Sequence, residues 1–316
     1  MYPNYLNLSK NDLNRKIEKL FHILENCEIC PRKCHINRLK KIKGYCQLGE
    51  LPMVSAYHPH FGEESPLVGI HGSGTIFFCS CNLACVYCQN YEISQLRIGE
   101  EISFERLAEM MIDLQNRGCH NINFVTPTPQ VPQIIKSLDI AIEKGLKIPL
   151  VYNTSSYDSL LVLKLLEGIV DIYLPDARYS DDKIALKYSN APKYFEIMKK
   201  AIKEMHRQVG DLILDYDPPA TLPLLLEEGA PENGVAVRGL IVRHLVLPNG
   251  LTGSEKIFEF LVKEISSNTF LNIMDQYHPY HKASEFPEIS RRITNEEYEE
   301  AIKLAKKSGL KRLYLY

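Results

Sequence analysis

The sequence has no run of about 18 or more apolar residues, so no segment reads as a membrane-spanning helix. Its first residues, Met1-Tyr2-Pro3-Asn4-Tyr5, lack the basic-then-apolar pattern of a secretory signal. Positive charge is not in excess either. The formal net charge is −2, which argues against a broad basic surface for nucleic acid. Internal repeats, low-complexity tracts and the glycine fingerprint of a dinucleotide fold are also missing. The expectation is a cytoplasmic protein with no membrane partner. At 316 residues and 45% hydrophobic, it suffices for one large α/β domain with appendages or for two domains.

Cysteine is what the chain has. Nine Cys without an export signal argue against disulfides and for metal or redox chemistry. Cys81, Cys85 and Cys88 stand at C-x3-C-x2-C. Three such thiolates can hold three irons of a cubane cluster and leave the fourth iron open, where bacterial ferredoxins place another Cys. The competing readings are buried small hydrophobes or a zinc site completed from elsewhere. Cys79 and Cys119 read as packed core thiols.

A second set, Cys27, Cys30, Cys34 and Cys46, is spaced C-x2-C-x3-C-x11-C. It suits a closed zinc site or a fully ligated auxiliary [4Fe–4S] cluster, and the spacing does not choose between them. Arg32, Lys33, Arg38, Lys40, Lys41 and Lys43 surround it, as a solvated face or as a docking surface for an acidic electron donor.

From about residue 72 the chain alternates. Short apolar runs at 75–78, 122–125, 148–152, 169–174, 240–247 and 271–274 read as strands. Helical patterns at 104–116, 131–144, 160–167, 194–208 and 255–266 lie between them. Continuous apolar strands between amphipathic helices mean βα units and a parallel sheet. The expected fold class is α/β, a partial (β/α)6 TIM barrel with an N-terminal Cys-rich cap. The expected divisions are residues 1–70 as helix and cap, 71–280 as barrel with an insertion at 211–237, and 281–316 as a helical extension. Residues 47–68, rich in Pro, read as loop. Ser9 with Asp12, and Thr294 with Glu297, mark the starts of the first and last helices.

In such barrels active residues gather at the C-terminal ends of the strands. Past each apolar run stand polar groups: Gln89-Asn90 beyond the Cys triad, Thr126-Pro127-Thr128-Pro129, Asn153-Thr154-Ser155-Ser156, Asp176-Ala177-Arg178, Arg243-His244 and Asp275-Gln276-Tyr277-His278. The fourth run also carries Asp171.

The triad, with an apolar run leading into it and Tyr87 before its last Cys, resembles the radical S-adenosylmethionine (SAM) superfamily. The stretches 125–133, 151–157, 171–176, 204–210, 242–248 and 272–277 resemble a subfamily related to pyruvate formate-lyase activating enzymes. The resemblance implies that Cys81, Cys85 and Cys88 bind a [4Fe–4S] cluster and that SAM completes its open iron. It implies cofactor contacts from Tyr87, Asn90, Thr126, Thr128, Asn153, Thr154, Ser155, Asp176 and His244, and catalytic roles for Arg178 and Arg243. The superfamily's Gly-Gly-Glu stretch is replaced here by Thr126-Pro127-Thr128. The implied activity is that of an oxidoreductase. It cleaves SAM reductively to a 5′-deoxyadenosyl radical and takes hydrogen from a protein or peptide, with a flavodoxin or ferredoxin-like donor as reductant. The alternatives are a small-molecule or RNA substrate, or a two-cluster electron carrier without enzymatic activity.

Overall fold

A computed structural model describes residues 3–215 and 234–315. The helices are α1 (Lys10–Glu25), α2 (Ser65–Val68), α3 (Tyr91–Ser94), α4 (Phe104–Asn116), α5 (Val131–Glu143), α6 (Leu160–Leu165), α7 (Asp182–Ser189), α8 (Tyr194–Val209), α9 (Ser254–Phe260) and α10 (Asn295–Ser308). The strands are β1 (Met53–His60), β2 (Ser73–Phe78), β3 (Glu100–Glu101), β4 (Ile122–Val125), β5 (Leu150–Thr154), β6 (Ile172–Pro175), β7 (Ile213–Asp215), β8 (Val235–Leu245), β9 (Phe270–Met274) and β10 (Arg312–Tyr314). No helix among the described residues is long and apolar enough to cross a membrane.

The strands form one sheet in the order β10-β9-β8-β6-β5-β4-β2-β1-β3, with β7 paired to β8. Every neighbouring pair from β2 to β10 is parallel. The two ends of the order, β3 and β10, do not pair, so the barrel is open. The expected partial (β/α)6 barrel is present, and the expected cap and extension each donate a strand to it. β1 lies antiparallel on β2, and β10 continues the parallel run beside β9. The reading of residues 47–68 as loop missed β1 and α2, because Pro52, Pro59 and Pro66 mask them; an edge strand and a first helical turn tolerate proline. Most of the expected insertion lies outside the described residues. Its flanks form the antiparallel pair Ile213–Asp215 with Val235–Arg238.

Local chemistry sets the elements. Ser9 accepts from the Asp12 N–H at the start of α1, and Ser103 does the same for Arg106 in α4. Thr294 and Glu297 close the expected capping box on α10. Gly118 and Gly145 follow α4 and α5 at φ +85° and +92°, a region glycine enters without steric cost.

Alternation along each strand gives the sheet two faces. Outward residues such as Phe124, Tyr152, Tyr173, Val242 and Ile273 pack in the main core with the helices. Inward residues Val151, Ile172, Leu174, Ile241 and Phe270 meet Leu67 of α2 in a second core. α2 therefore plugs the barrel interior. Above that plug, the inward positions nearest the C-terminal strand ends, apolar and polar together, open into a cavity.

Candidate active site

The cavity measures about 560 Å³ and is lined from every strand of the barrel proper. Phe77, Val125, Asn153, Asp176, Arg243 and Met274 are the inward residues that close the successive strands. Cys81, Cys85 and Cys88 form one wall, and Tyr87, Asn90, Thr126, Thr128, Thr154, Ser155 and Arg178 line it too. Of the residues expected at the site, His244 is the one barrel residue absent from the lining. Arg243 faces the cavity, so by alternation His244 faces the helices. It is fully buried there, with Nδ1 2.7 Å from Ala177 O and Nε2 2.8 Å from Ser254 Oγ. A cofactor contact at His244 is thereby corrected.

The cysteine loop is held from both sides. Ser80 and Cys81 donate backbone N–H groups to Ile93 and Ser94 around α3, at 2.9 and 3.1 Å. Ala84 and Val86 donate to Ser189 and Tyr188 of α7, at 3.1 and 2.8 Å. Each sulfur has a donor aimed at it. Leu83 N–H lies 3.3 Å from Cys81 Sγ, Ser189 Oγ 3.0 Å from Cys85 Sγ, and Ser94 Oγ 3.3 Å from Cys88 Sγ. Burial, with Cys85 beside it, pushes the Cys81 thiol up to about 12, and burial raises Cys88 as well. Donors directed at buried sulfurs suit thiolates, and a bound cationic metal supplies the charge that deprotonates them. The residues present fit a cluster. Tyr87 extends the support: its hydroxyl pairs with that of Tyr179, which lies 2.8 Å from Ser189 Oγ.

Close to the cysteines, Arg178 is ion-paired with Asp176. Burial opposes the Arg178 charge, but Asp176 and then Cys85 hold its pKa well above the ordinary value. Its Nε is buried and has no partner. Arg243 is gripped from the plug. Its Nε and Nη2 each donate to Glu64 at 2.7 Å, and it also pairs with Glu63. Asn272 Nδ2 donates to Glu64 at 2.6 Å and Asn123 Nδ2 to Glu63 at 3.0 Å.

Thr128 and Thr154 line the cavity, but their hydroxyls are committed below it. Both donate to the buried Asp158 at 2.7 Å, and Tyr152 OH adds a third bond at 2.9 Å. Burial raises the Asp158 carboxyl, and these three donors work against that. Thr126 stands at φ +61°, and Ser80 and Ser156, past the ends of β2 and β5, at +71° and +62°. Left-handed backbone at non-glycine residues marks strain that clusters at functional sites.

Sequence reasoning missed Glu63, Glu64 and Asp158. The Glu pair sits in the stretch read as loop. Asp158 carried a usable signal: a lone carboxylate just after the Asn153–Ser156 run, ahead of a helix. Asp171 lies at the other end of the barrel, buried, accepting from Asn4 and Leu150 N–H at 2.7 and 3.0 Å. Cys79 and Cys119 are buried outside the cavity, as expected. His278 lines the cavity, whereas His281 stacks on Tyr91 at 4.5 Å. Cys27, Cys30, Cys34 and Cys46 lie apart from the lining, in the cap.

Three cysteines, a buried guanidinium and strand-end hydroxyls and amides share one cavity of an open α/β barrel, a donor set that suits a metal cofactor. The sequence profile of the radical SAM superfamily matches residues 75–214, so the barrel carries a domain of that superfamily. Such a domain implies a [4Fe–4S] cluster, SAM and a reductant. The chain is 36% identical over 313 residues to the uncharacterized protein MJ0674 of Methanocaldococcus jannaschii, an alignment covering 96% of this chain and 81% of that one. Similar solved structures include a domain of pyruvate-formate lyase-activating enzyme from Bacteroides vulgatus, at 12% identity over 67% of this chain and 91% of that chain, with a TM-score of 0.37. HydG, a maturase of the [FeFe]-hydrogenase, matches at 10% over 98% and 58%, with a TM-score of 0.49. Methylornithine synthase (PylB) matches at 11% over 98% and 83%, with a TM-score of 0.45.

Proposed function

We propose that this protein is a radical SAM oxidoreductase that takes hydrogen from a protein or peptide, in the manner of glycyl-radical activating enzymes. The observation that carries the reading is convergence. The cysteine triad and the inward strand-end residues of β2, β4, β5, β6, β8 and β9 share one cavity. When bound, the cluster and SAM supply a one-electron cleavage and the carbon radical that abstracts hydrogen.

The chain's own residues bind and orient. Cys81, Cys85 and Cys88 hold the cluster. Arg178 lines the cavity and turns its guanidinium towards a carboxylate. Asp176 sets a negative charge where a sulfonium needs one. Thr126, Asn153, Ser155 and Asn90 contribute short polar groups to the same walls. Leu245, Met274 and Tyr277 add apolar surface to the lining and restrict water. Support for a peptide substrate comes from the mouth. The lining residue Tyr280 is 42% exposed, and such a ring suits a chain laid across the opening.

The test is anaerobic incubation of the reconstituted, reduced protein with SAM. Formation of methionine and 5′-deoxyadenosine is expected, with deuterium transfer into the latter from a labelled peptide substrate. Absence of 5′-deoxyadenosine would sink the reading. Deuterium transfer from a small metabolite instead would remove the peptide.

A further inference from the structure

The cysteines of the cap fold into a second thiolate cradle. The chain doubles back between Cys27 and Ile36, tied by Cys27 N–H to Ile36 O at 2.8 Å and His35 N–H to Cys27 O at 3.1 Å. Left-handed turns at Lys33, His35 and Gln47 bend it beside Cys34 and Cys46. Cys46, Cys27 and Cys34 all lie within electrostatic reach of the buried Cys30. Gly44 allows the last approach: a Cβ there would stand 3.1 Å from Cys34 Sγ.

Backbone donors point at these sulfurs as they do in the cavity. Ile29 N–H is directed at Cys27, Arg32 N–H at Cys30, and Tyr45 N–H at Cys34 at 3.5 Å. In the cavity set, Leu83 and Asn90 serve Cys81 and Cys88 from the same i+2 position. Four thiolates can close on zinc or on a four-iron cubane, and the cubane is the group that the Cys81 triad already suits.

The two sets also touch. Ser80, next to Cys81, donates from Oγ to Cys46 O at 2.7 Å. Arg32 donates from Nε to Asn82 O at 2.8 Å, inside the Cys81–Cys85 loop. Its guanidinium lies 3.9 Å over the ring of Tyr45, the neighbour of Cys46. The Tyr45 hydroxyl is within electrostatic reach of Cys81 and Cys85. Of the expected basic face, Arg38 is fully buried, bonded to Gly49 O and Pro129 O, and Arg32 is turned inward. Lys33, Lys40, Lys41 and Lys43 remain exposed around the cap.

We infer that Cys27, Cys30, Cys34 and Cys46 bind a second [4Fe–4S] cluster, and that it relays electrons to the Cys81–Cys88 site through the Ser80–Cys46 and Arg32–Tyr45 contacts. An acidic, low-potential one-electron donor docks on the exposed lysines and is oxidised by one electron. The cap site is reduced and then reoxidised, and the cavity site gains that electron. No bond is made or broken. The relay rests on the reading of the Cys81 triad as a cluster site, whereas the cap cluster does not.

Iron, sulfide and zinc in anaerobically purified protein decide the first part. The expectation is about eight irons per chain, from two four-iron clusters. Cys81→Ser/Cys85→Ser/Cys88→Ser and Cys30→Ser/Cys34→Ser are each expected to keep about four. One zinc per chain, or about four irons in both the wild type and the Cys30→Ser/Cys34→Ser variant, overturns the cap cluster. If wild type falls to four irons while the triple variant keeps four, the cavity reading has failed and the cap reading stands. The relay is read by stopped-flow reduction with a reduced flavodoxin-type donor and, separately, with dithionite. Arg32→Gln is expected to keep about eight irons, lose the fast phase with the protein donor and match wild type with dithionite. Equal rates with the protein donor overturn the relay. Should the cysteine variants fail to fold, spin–spin broadening between two reduced clusters in the wild-type EPR spectrum serves instead, and two non-interacting signals count against the contact.

Discussion

Arg243 on β8 is held by Glu64, which sits just ahead of α2, through two bonds of 2.7 Å across 179 positions of sequence. The plug segment and the far side of the barrel are thereby locked together beneath the cavity. Glu64 is fully buried; burial opposes its charge, yet Arg243 holds its carboxyl below the usual range. Removing Arg243 strands two carboxylates, Glu64 and Glu63. Arg243→Met is expected to cost about 3 kcal/mol of stability. Adding Glu63→Gln and Glu64→Met is expected to recover part of that, because no unpaired charge is left. Urea unfolding checks both. A single variant within 1 kcal/mol of wild type (about the size of an exposed pair) would show that the pair contributes little.

His244 gives the protein a pH signature unrelated to its chemistry. Burial drives its pKa from 6.5 to about 4, against the pull of the Ala177 carbonyl. Between those values the unfolded chain binds a proton that the folded protein does not. The contribution is therefore full above about pH 6.5 and is lost as pH falls towards 4. Its size is about 3 kcal/mol. His244→Gln is expected to flatten the fall in urea midpoint across that window. Parallel curves for variant and wild type would refute a buried neutral imidazole.

Much of this architecture is legible in the chain. Helix α4 and strand β4 fall where apolar periodicity places them, since each is bounded by a strong signal: Ser103 before α4, and Thr126-Pro127 after β4. The cavity lining follows from a single rule, polar residues beyond parallel strands. That rule cannot say which of two adjacent residues faces in. Arg243 and His244 were taken together although alternation forbids it; the register, fixed by Ile241 in the inner core, decides. α2 escaped because four residues show no periodicity, and its role comes from the barrel it fills. α7 escaped because Asp181 and Asp182 hide a short amphipathic turn whose value lies in pinning the cysteine loop.

Arg178 is the side chain on which SAM use should depend most. It is partly exposed, lines the cavity and is paired with Asp176. Arg178→Met is expected to retain the cluster, since no cysteine ligand bonds to Arg178, while the rate of 5′-deoxyadenosine formation falls about a hundredfold. Arg178→Lys restores charge but not the fork and is expected to recover only part of it. Iron content and single-turnover rates are the measurements. An Arg178→Met enzyme with wild-type turnover would remove this residue from the site.

Thr126 tests whether the strained turn at the end of β4 is held for function. A β-branched residue at φ +61° is unfavourable backbone. The surroundings impose it, with Thr126 N–H bonded to Asn153 O at 3.0 Å. Thr126→Ala and Thr126→Gly both delete the hydroxyl, but only glycine relieves the Cβ clash. The glycine variant is therefore expected to be more stable than the alanine variant by about 1 kcal/mol. Both should lose SAM affinity to a similar degree, because the lost group is the same. Calorimetric melting and SAM titration of the reduced cluster's EPR signal separate the two effects. If alanine proves as stable as glycine, the turn is not strained. If SAM affinity is untouched in both, the strain serves the backbone path past the cavity and not the hydroxyl.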